Sequence, residues 1–204
     1  MELKEVIKER RSCRTYLPTP LSDETIEKIV ESARLSPSSK NAQQWKFVCI
    51  KAEKESHDIA DILKNYYLQN RDNPETRLGA NTVFATGKIL EQAPAIILVF
   101  ADSENIDRNK VEDISAILSI GSAVEHMMLT ATDLGLGCLW IADTYYVHKE
   151  LADYILNKLK GTKKQDFITY ENRLICAMAV GEMGEPKHTT PRKSLNEILT
   201  IINN

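Results

Sequence analysis

The spacing of apolar residues predicts several helices along this chain. Ile26, Ile29, Val30 and Ala33 form one stripe at helical spacing, and Ser22 offers the N-cap of their helix. The same periodicity predicts further helices at 3–7, 58–68, 112–134 and His148–Leu159. The 112–134 pattern is apolar on several sides, so we expect that helix to be buried.

Continuous apolar runs predict strands at 46–50, Ala95–Ala101 and 173–180. The middle run is rich in β-branched residues, as is typical of a central strand. Residues 70–81 are polar and include a proline and a glycine, so they are predicted to form an irregular excursion within about 65–90. Strands separated by helices predict an α+β or α/β layered fold, in one domain over residues 1–204.

Gly135 and Gly137 look like part of a dinucleotide-binding turn, but they stand in the wrong context. They follow a predicted helix, whereas that turn requires a strand before it and a helix after it. Gly135 is better explained as the C-terminal cap of the 112–134 helix.

Composition and charge argue against several classes of protein. With 204 residues, 43% of them hydrophobic, and a net charge of -3, the chain is typical of a soluble globular protein without the cation excess of nucleic-acid binders. Charges interrupt residues 1–5, where a signal peptide needs an apolar core. The longest apolar run, 93–101, is far shorter than the roughly 20 residues of a membrane helix. We expect a cytoplasmic protein with no membrane or nucleic-acid partner.

The cysteines and histidines do not have the spacing of metal ligands. No C-x-x-C, H-x-x-x-H or H-E-x-x-H pair occurs in the sequence. Three of the cysteines lie in apolar runs, so we expect buried, reduced thiols. The cysteines are Cys13, Cys49, Cys138 and Cys176. We expect no metal site, and we interpret His126 and His148 as structural.

A polar loop at 36–45 connects a predicted helix to a predicted strand. Pro37 fixes its own φ and disfavours helical backbone at Ser36, so the helix should end there. Short hydroxyl and amide side chains with exposed N–H groups suit a loop that approaches a flat polar heterocycle. A cluster of Ser, Pro and Asn is equally what an ordinary connecting loop contains.

Arginines are concentrated after the first predicted helix. Arg10, Arg11 and Arg14 flank Ser12, and guanidinium groups with a hydroxyl match phosphate oxygens. The alternative is a solvated basic helix end, which the helix dipole favours. Taken alone, the cluster fits that alternative better.

The C-terminal segment combines a basic pair with a long apolar stripe. Arg192 and Lys193 precede apolar residues spread over 195–202. Such a stripe needs a surface to cover, either in its own domain or in a partner subunit.

Together these features resemble the nitroreductase family of FMN-dependent flavoproteins. The resemblance covers nearly the whole chain, and the order and separation of its motifs are more specific than any one of them. The motifs are Arg10-Arg11-Ser12-x-Arg14, Ser36-Pro37-Ser38-Ser39-x-Asn41-x-Gln43, Leu134-Gly135-Leu136-Gly137 before Trp140, and Pro191-Arg192-Lys193. Gln44 departs from the proline that many relatives carry before the tryptophan. The residues after Trp140 are Ile-Ala-Asp, whereas one branch of the family has a Glu-Gly pair there. These departures leave the branch of the family, and so the substrate, undetermined.

The resemblance implies an α+β fold of three layers, with a mostly antiparallel central sheet flanked by helices. It also implies an intertwined homodimer with two FMN sites at its interface. A C-terminal arm at about 190–204 would reach over the neighbouring subunit. This arrangement would explain the apolar stripe at 195–202 and the apolar character of the 112–134 helix.

Carried over by position, the resemblance assigns FMN contacts to three regions. Arg10, Ser12 and Arg192 would bind the phosphate, with Arg11 and Lys193 as further candidates. Arg14 would reach either the phosphate or the N1/C2-carbonyl end of the ring, where a cation stabilises reduced flavin. The other expected contacts are Pro37, Ser38, Ser39 and Asn41 along the ring and ribityl chain, and Leu139, Trp140 and Ile141 against the flavin face. A backbone N–H near Ala142 or Asp143 would face flavin N5.

The implied reaction is hydride transfer from NADH or NADPH, through FMN, to an electron-poor acceptor such as a nitroarene or quinone, in a ping-pong scheme. Because the flavin carries the chemistry, we expect no catalytic side chain. One alternative is a specialised reaction on the same fold, such as reductive dehalogenation or flavin fragmentation, and another is a non-catalytic flavin-binding module. A lid would lie at 70–81, where Tyr66, Tyr67 and Phe84 form either core or pocket wall.

Overall fold

The computed structural model describes residues 1–102, 107, 109–184 and 190–203. Its helices are α1 (Leu3–Glu9), α2 (Asp23–Arg34), α3 (Glu53–Asn70), α4 (Arg77–Gln92), α5 (Val111–Asp133) and α6 (His148–Leu159). Its strands are β1 (Trp45–Ile50), β2 (Ala95–Ala101), β3 (Gly137–Ile141) and β4 (Arg173–Gly181). Short 3₁₀ turns lie at Ser39–Asn41, Asp143–Val147 and Leu195–Glu197. The predicted α+β class is confirmed.

The four strands form one antiparallel sheet in the order β1-β2-β4-β3. β2 pairs with β4 from Ala95 opposite Val180 to Ala101 opposite Arg173. Every residue of β2 is buried, because the strand has neighbours on both sides and helices over both faces. The prediction of a central strand at this position is confirmed, and so is the antiparallel sheet that the family resemblance implied.

Helices cover the two faces of the sheet as separate layers. On one face, α3, α4 and α6 pack on side chains such as Leu98, with Leu63 of α3 in the same cluster. On the other face, Ile29 of α2 and Met127 of α5 pack with Val99. Leu98 and Val99 are neighbours that point to opposite faces, as the period of a strand requires. Each such fully buried side chain contributes about 1.5–3 kcal/mol before conformational entropy is subtracted.

The local signals for helix ends are confirmed by hydrogen bonds. Ser22 Oγ accepts from the N–H of Thr25, so Ser22 caps α2. Gly135 follows α5 with a φ of 77°, and the N–H of Leu136 donates to the Ala131 carbonyl. These short-range interactions were readable from the sequence because they depend on few neighbours.

The prediction of an irregular excursion over 70–81 is wrong for half of its length. Only residues 71–76 connect two helices, and α4 runs from Arg77 to Gln92. Gly79 lies inside this helix, and Pro74 lies in the connection before it. The buried residues of α4 recur at helical spacing against α3 and the sheet, and that packing outweighs the low helix propensity of glycine. These residues are Ala80, Val83, Thr86, Gly87 and Leu90.

The aromatic residues near this hairpin have two kinds of environment. Tyr66 packs against the core, with its ring centroid 5.6 Å from that of Tyr146. Tyr67 stacks on Phe84 with centroids 4.6 Å apart, and Lys88 lies over the Phe84 ring. Tyr66 therefore helps join the hairpin to the core, whereas the Tyr67–Phe84 pair joins α3 to α4.

Within one chain, helix α5 is buried on one side and exposed on the other, so the expected burial is found for one side only. Val124 and Met127 are completely buried, whereas Leu118 is 69% exposed and Ile114 is 42% exposed. Within the described part of the chain, α5 is the one helix with the length and apolarity of a membrane span. Core helices meet the same criteria, and the buried side of α5 packs on the sheet.

Candidate functional site

The arginine-containing segment after α1 is fixed against the edge of the sheet by its backbone. Ser12 forms a parallel bridge with Cys138 of β3, and the N–H of Cys13 donates to the Cys138 carbonyl at 2.9 Å. Gly137 permits this approach, because a Cβ at that position would lie only 2.6 Å from Cys13 Sγ. Burial raises the pKa of the Cys138 thiol to about 12, and the nearby charge of Arg10 opposes that rise. Arg10 and Ser12 are thereby placed beside β3.

The arginines of this segment do not share one role. Arg11 Nη1 donates to the carbonyls of Lys8 and Arg10 at 2.7 and 2.8 Å, so it caps the C-terminus of α1. The helix-end alternative is therefore realised by Arg11. Ser12 and Arg14 are exposed and Arg10 is half-buried. These three residues present hydrogen-bond donors, two of them cationic, at the surface beside β3.

Three of the four residues 40–43, in the loop before β1, have left-handed backbone conformations. Lys40, Asn41 and Gln43 have φ values of 53°, 55° and 49°. The loop is closed by Ser38, whose Oγ accepts from the N–H of Gln43 at 3.0 Å. For residues other than glycine this conformation costs about 1–2 kcal/mol each, with asparagine the most tolerant. Strain of this kind is concentrated at binding sites, so the conformation points to a function for the loop.

The same loop forms a groove with α5. The N–H of Ser39 donates to Ser119 Oγ at 3.1 Å, and Ser119 Oγ donates to the Ser115 carbonyl at 2.6 Å. The groove has a volume of about 280 Å³ and is lined by Pro37, Ser38, Ser39, Ser115, Leu118, Ser119 and Ser122. Its walls offer hydroxyl groups beside two apolar side chains, Pro37 and Leu118, which suits a ligand that has both a polar edge and an apolar face. Asn41 is exposed and lies outside this lining.

Of the three predicted residues of β3, one points out of the core. Leu139 and Ile141 are buried in the cluster that faces α3, α4 and α6. Trp140 points to the opposite face, is 43% exposed, and has its Cη2 atom 3.5 Å from the position of a Cβ on Gly121. A ligand can therefore contact the Trp140 ring, whereas Leu139 and Ile141 offer only backbone atoms.

The predicted residues fall into separate groups within one chain. The thiol of Cys138 donates to the Met128 carbonyl of α5, whereas the serine loop contacts α5 at Ser119. The two points are nine residues apart, which is about 14 Å along a helix. Arg192 and Lys193 lie in the exposed segment 190–203, and no hydrogen bond or ion pair joins them to either group in the part of the chain that the structure describes.

The serines of α5 line the candidate site and are not among the residues that the sequence motifs predict. Ser115, Ser119 and Ser122 are spaced by four and three residues, so they share one face of the helix. Polar residues repeated at that spacing within a long apolar helix were the available signal. The helix was interpreted from its apolar positions alone, and the serine row was overlooked.

Thiol and histidine side chains do not form a reactive centre in the described ranges. Burial raises the pKa of Cys49 to about 11 and that of Cys176 to about 12, so both thiols are protonated at neutral pH. Each of two histidines has its Nδ1 within hydrogen-bond distance of a backbone carbonyl, His126 with Ser32 and His148 with Tyr145. Among the described residues, no group of three or more His, Cys, Asp or Glu side chains converges as metal ligands.

Comparison with known proteins identifies a family and a fold. A sequence model described as the nitroreductase family matches residues 7–182. A protein of Archaeoglobus fulgidus, named "Putative NADH dehydrogenase/NAD(P)H nitroreductase", is 30% identical over 140 residues, which are 69% of this chain and 67% of that one. For three such curated relatives the match spans 60 to 73% of their length.

Two solved structures are similar over the whole chain. A BluB-like flavoprotein from Clostridium difficile 630 has a TM-score of 0.81 at 27% identity, with 100% of each chain covered. A protein from Desulfovibrio desulfuricans, described as a nitroreductase in complex with FMN, has a TM-score of 0.68 at 26% identity, with 100% of this chain and 98% of that one covered.

Replacing Lys40 by glycine should stabilise the protein. Removing left-handed strain of about 1–2 kcal/mol outweighs the extra unfolded-state entropy of glycine, about 0.4–1 kcal/mol, so the free energy of unfolding should rise by about 0.5–1 kcal/mol. Urea unfolding of the flavin-free protein measures this change. The Lys40→Ala variant, which keeps the strain, is the control and should differ little from wild type. A Lys40→Gly protein less stable than wild type would contradict the strain argument.

Proposed function

This chain belongs to the nitroreductase family of flavoprotein oxidoreductases, and we propose that it is a cytoplasmic FMN-dependent enzyme. It passes hydride from NADH or NADPH to an electron-poor acceptor such as a nitroaromatic compound or a quinone. The proposal is carried by one observation: the arginine–serine segment and the strained serine loop are both held at the surface by contacts to rigid elements. The FMN complex of the Desulfovibrio desulfuricans protein, which has the same fold, supports it.

The residues present fit FMN. Arg10, Ser12 and Arg14 supply the charge and donors that a phosphate requires, and Arg192 is a further cation in the C-terminal segment. The serine-lined groove supplies donors and acceptors for the polar edge of the ring. Trp140 supplies an exposed aromatic surface that suits a planar heterocycle.

Bound FMN would supply hydride acceptance and donation at its N5 atom. The chain's own contribution is to bind and orient the cofactor and to tune its charge. Arg14 would place its cation either at the phosphate or at the N1/C2-carbonyl end of the ring, where it favours the reduced form, and a backbone N–H near Ala142 or Asp143 would face N5. The buried, protonated thiols and the carbonyl-bound histidines need no part in this chemistry.

A homodimer accounts for the exposed apolar surface. Apolar side chains are exposed on α1, on one side of α5 and along the C-terminal segment, namely Leu3, Ile7, Ile114, Leu118, Leu195, Ile198, Leu199, Ile201 and Ile202. So many exposed apolar side chains on three segments favour an interface with a second subunit. The C-terminal arm of the partner subunit, at about 190–204, would bind in an apolar groove beside the edge strand β1. This groove has a volume of about 560 Å³, and Phe47, Val30 and Phe167 are among its lining residues. A dimer would also allow the serine loop of one subunit and the arginine segment of the other to share one FMN.

The decisive experiment is the visible spectrum of the FMN-loaded protein during anaerobic addition of NADH, and separately of NADPH. We expect a yellow protein whose flavin absorbance bleaches on addition of at least one donor, and returns when a nitroarene or quinone is added. Bleaching without recovery by either acceptor would favour a specialised reaction on this fold. Flavin that binds but is not reduced would indicate a non-catalytic flavin-binding module. A protein that refuses added FMN would overturn the proposal.

Removing the two arginines assigned to the phosphate should weaken FMN binding. We expect the double variant Arg10→Ala/Arg192→Ala to raise the FMN dissociation constant at least tenfold, since each charged hydrogen bond contributes about 1.5–3 kcal/mol. Fluorescence titration of the flavin-free protein measures the constant. The matched control is Lys160→Ala/Lys163→Ala, which removes the same charge from an exposed turn. Equal affinity in both variants would refute the phosphate assignment.

Truncation after Arg192 should weaken the dimer while keeping the phosphate arginine. The deleted segment carries the exposed apolar residues of the arm. Without them, the arm no longer covers apolar surface on the second subunit, and the free energy of dimerisation becomes less favourable. Sedimentation velocity over a range of protein concentrations should show monomer where the full chain is dimeric. A full-length Ile198→Asp/Ile202→Asp variant should behave in the same way. Truncated protein that remains fully dimeric would contradict the role of the arm.

A further inference from the structure

The 3₁₀ turn Asp143–Val147 follows β3 after a single residue, Ala142, and α4 contacts it at two points. Thr86 Oγ1 donates to Asp143 Oδ2 at 3.0 Å. At the other end of the turn the Tyr146 ring lies so close to Gly79 that a Cβ there would be 2.9 Å from the phenol oxygen. Gly79 and Thr86 are seven residues apart, so both contacts come from one face of α4, about 10 Å apart along its axis.

The hydrogen bond from Thr86 is partly buried, with its donor on the buried face of α4. Thr86 is 5% exposed, and Val83 and Leu90 of the same helix face are completely buried. A hydrogen bond to a carboxylate is roughly twice as strong as one between neutral groups, and burial strengthens it further. Losing the hydroxyl would leave the Asp143 carboxylate without this donor. Thr86 therefore directs the Asp143 carboxylate toward α4.

That direction separates the Asp143 charge from the exposed face of β3. The carboxylate is drawn toward α4, which covers one face of the sheet. Trp140 points to the other face, toward Gly121 of α5. A flavin ring against Trp140 would thus have the Asp143 carboxylate directed toward α4 and not toward the ring.

We propose that Thr86 is a positioning residue for the flavin. It acts through Asp143 by fixing the start of the turn, where a backbone N–H near Ala142 or Asp143 would face N5, and by directing a negative charge away from the ring. This inference rests on the proposed function. Released from Thr86, the carboxylate would approach the ring and disfavour the anionic reduced flavin relative to the oxidised form, because like charges repel.

The test is an anaerobic redox titration of FMN-loaded protein carrying Thr86→Val, which removes the hydroxyl and keeps the shape. We expect the preference for reduced over oxidised FMN to fall about tenfold, which is about 30 mV in the potential of a two-electron couple. The dissociation constant of oxidised FMN should change less than about twofold. Thr86→Ser, which keeps the hydroxyl, should restore the wild-type potential.

The matched control is Thr82→Val, the same substitution on an exposed position of the same helix, where the hydroxyl donates to the Gly79 carbonyl. Its potential should equal that of wild type. In an Asp143→Asn background, Thr86→Val should no longer lower the potential, since the charge is gone. Thr86→Ala, which also removes the hydroxyl, is a second variant should Thr86→Val fail to fold, and we expect its potential to fall as well.

Three results would overturn the inference. They are a Thr86→Val protein with the wild-type potential, a Thr86→Ser protein that matches Thr86→Val, and, if Thr86→Val does not fold, a Thr86→Ala protein with an unchanged potential. FMN binding by the wild-type protein tests the proposed function separately. A wild-type protein that does not bind FMN refutes that function, whereas one that binds FMN while the variants match it refutes only the role of Thr86.

Discussion

The attachment of residues 12 and 13 to the edge of β3 determines where the charged part of the candidate site lies. A parallel bridge from Ser12 and a backbone hydrogen bond from Cys13 join the N-terminal segment to Cys138. This contact requires glycine at position 137, since any larger residue would meet the Cys13 side chain. It also covers part of the backbone edge of β3, which would otherwise be open to unwanted pairing. Arg10 and Arg14, which flank this attachment, are thereby held beside β3.

The arginine segment and the serine loop of the candidate site are held in place by different interactions. The arginine segment is placed by backbone hydrogen bonds and close packing, and it contains no left-handed residue among those described. The serine loop instead holds three left-handed residues, at about 1–2 kcal/mol for each non-glycine position. The flanking helix and strand offset that cost through residues such as Ile29 and Trp45, whose burial stabilises by a comparable amount or more. A strained loop between two well-packed elements keeps one conformation without a ligand.

Much of the fold could be predicted from the sequence because its determinants are local. The cap at Ser22, the glycine at the end of α5 and the central strand Ala95–Ala101 depend on neighbours in the chain or on simple burial. The start of α4 could not, since Gly79 and Pro74 suggest a loop and only packing against α3 shows a helix. The same reason explains the overlooked Ser119 and the difference between Trp140 and its neighbours. Which face of an element meets a ligand depends on tertiary contacts that spacing alone does not reveal.

The thiols of the sheet have a consequence for how the protein can be studied. Cys138 and Cys176 lie on β3 and β4, almost completely buried, and burial raises the pKa of each to about 12. In the closed structure neither offers a thiolate to an alkylating reagent. Modification must then wait for the two strands to separate. The rate of labelling at these positions accordingly reports the local opening free energy of this half of the sheet, with natural residues serving as the probe.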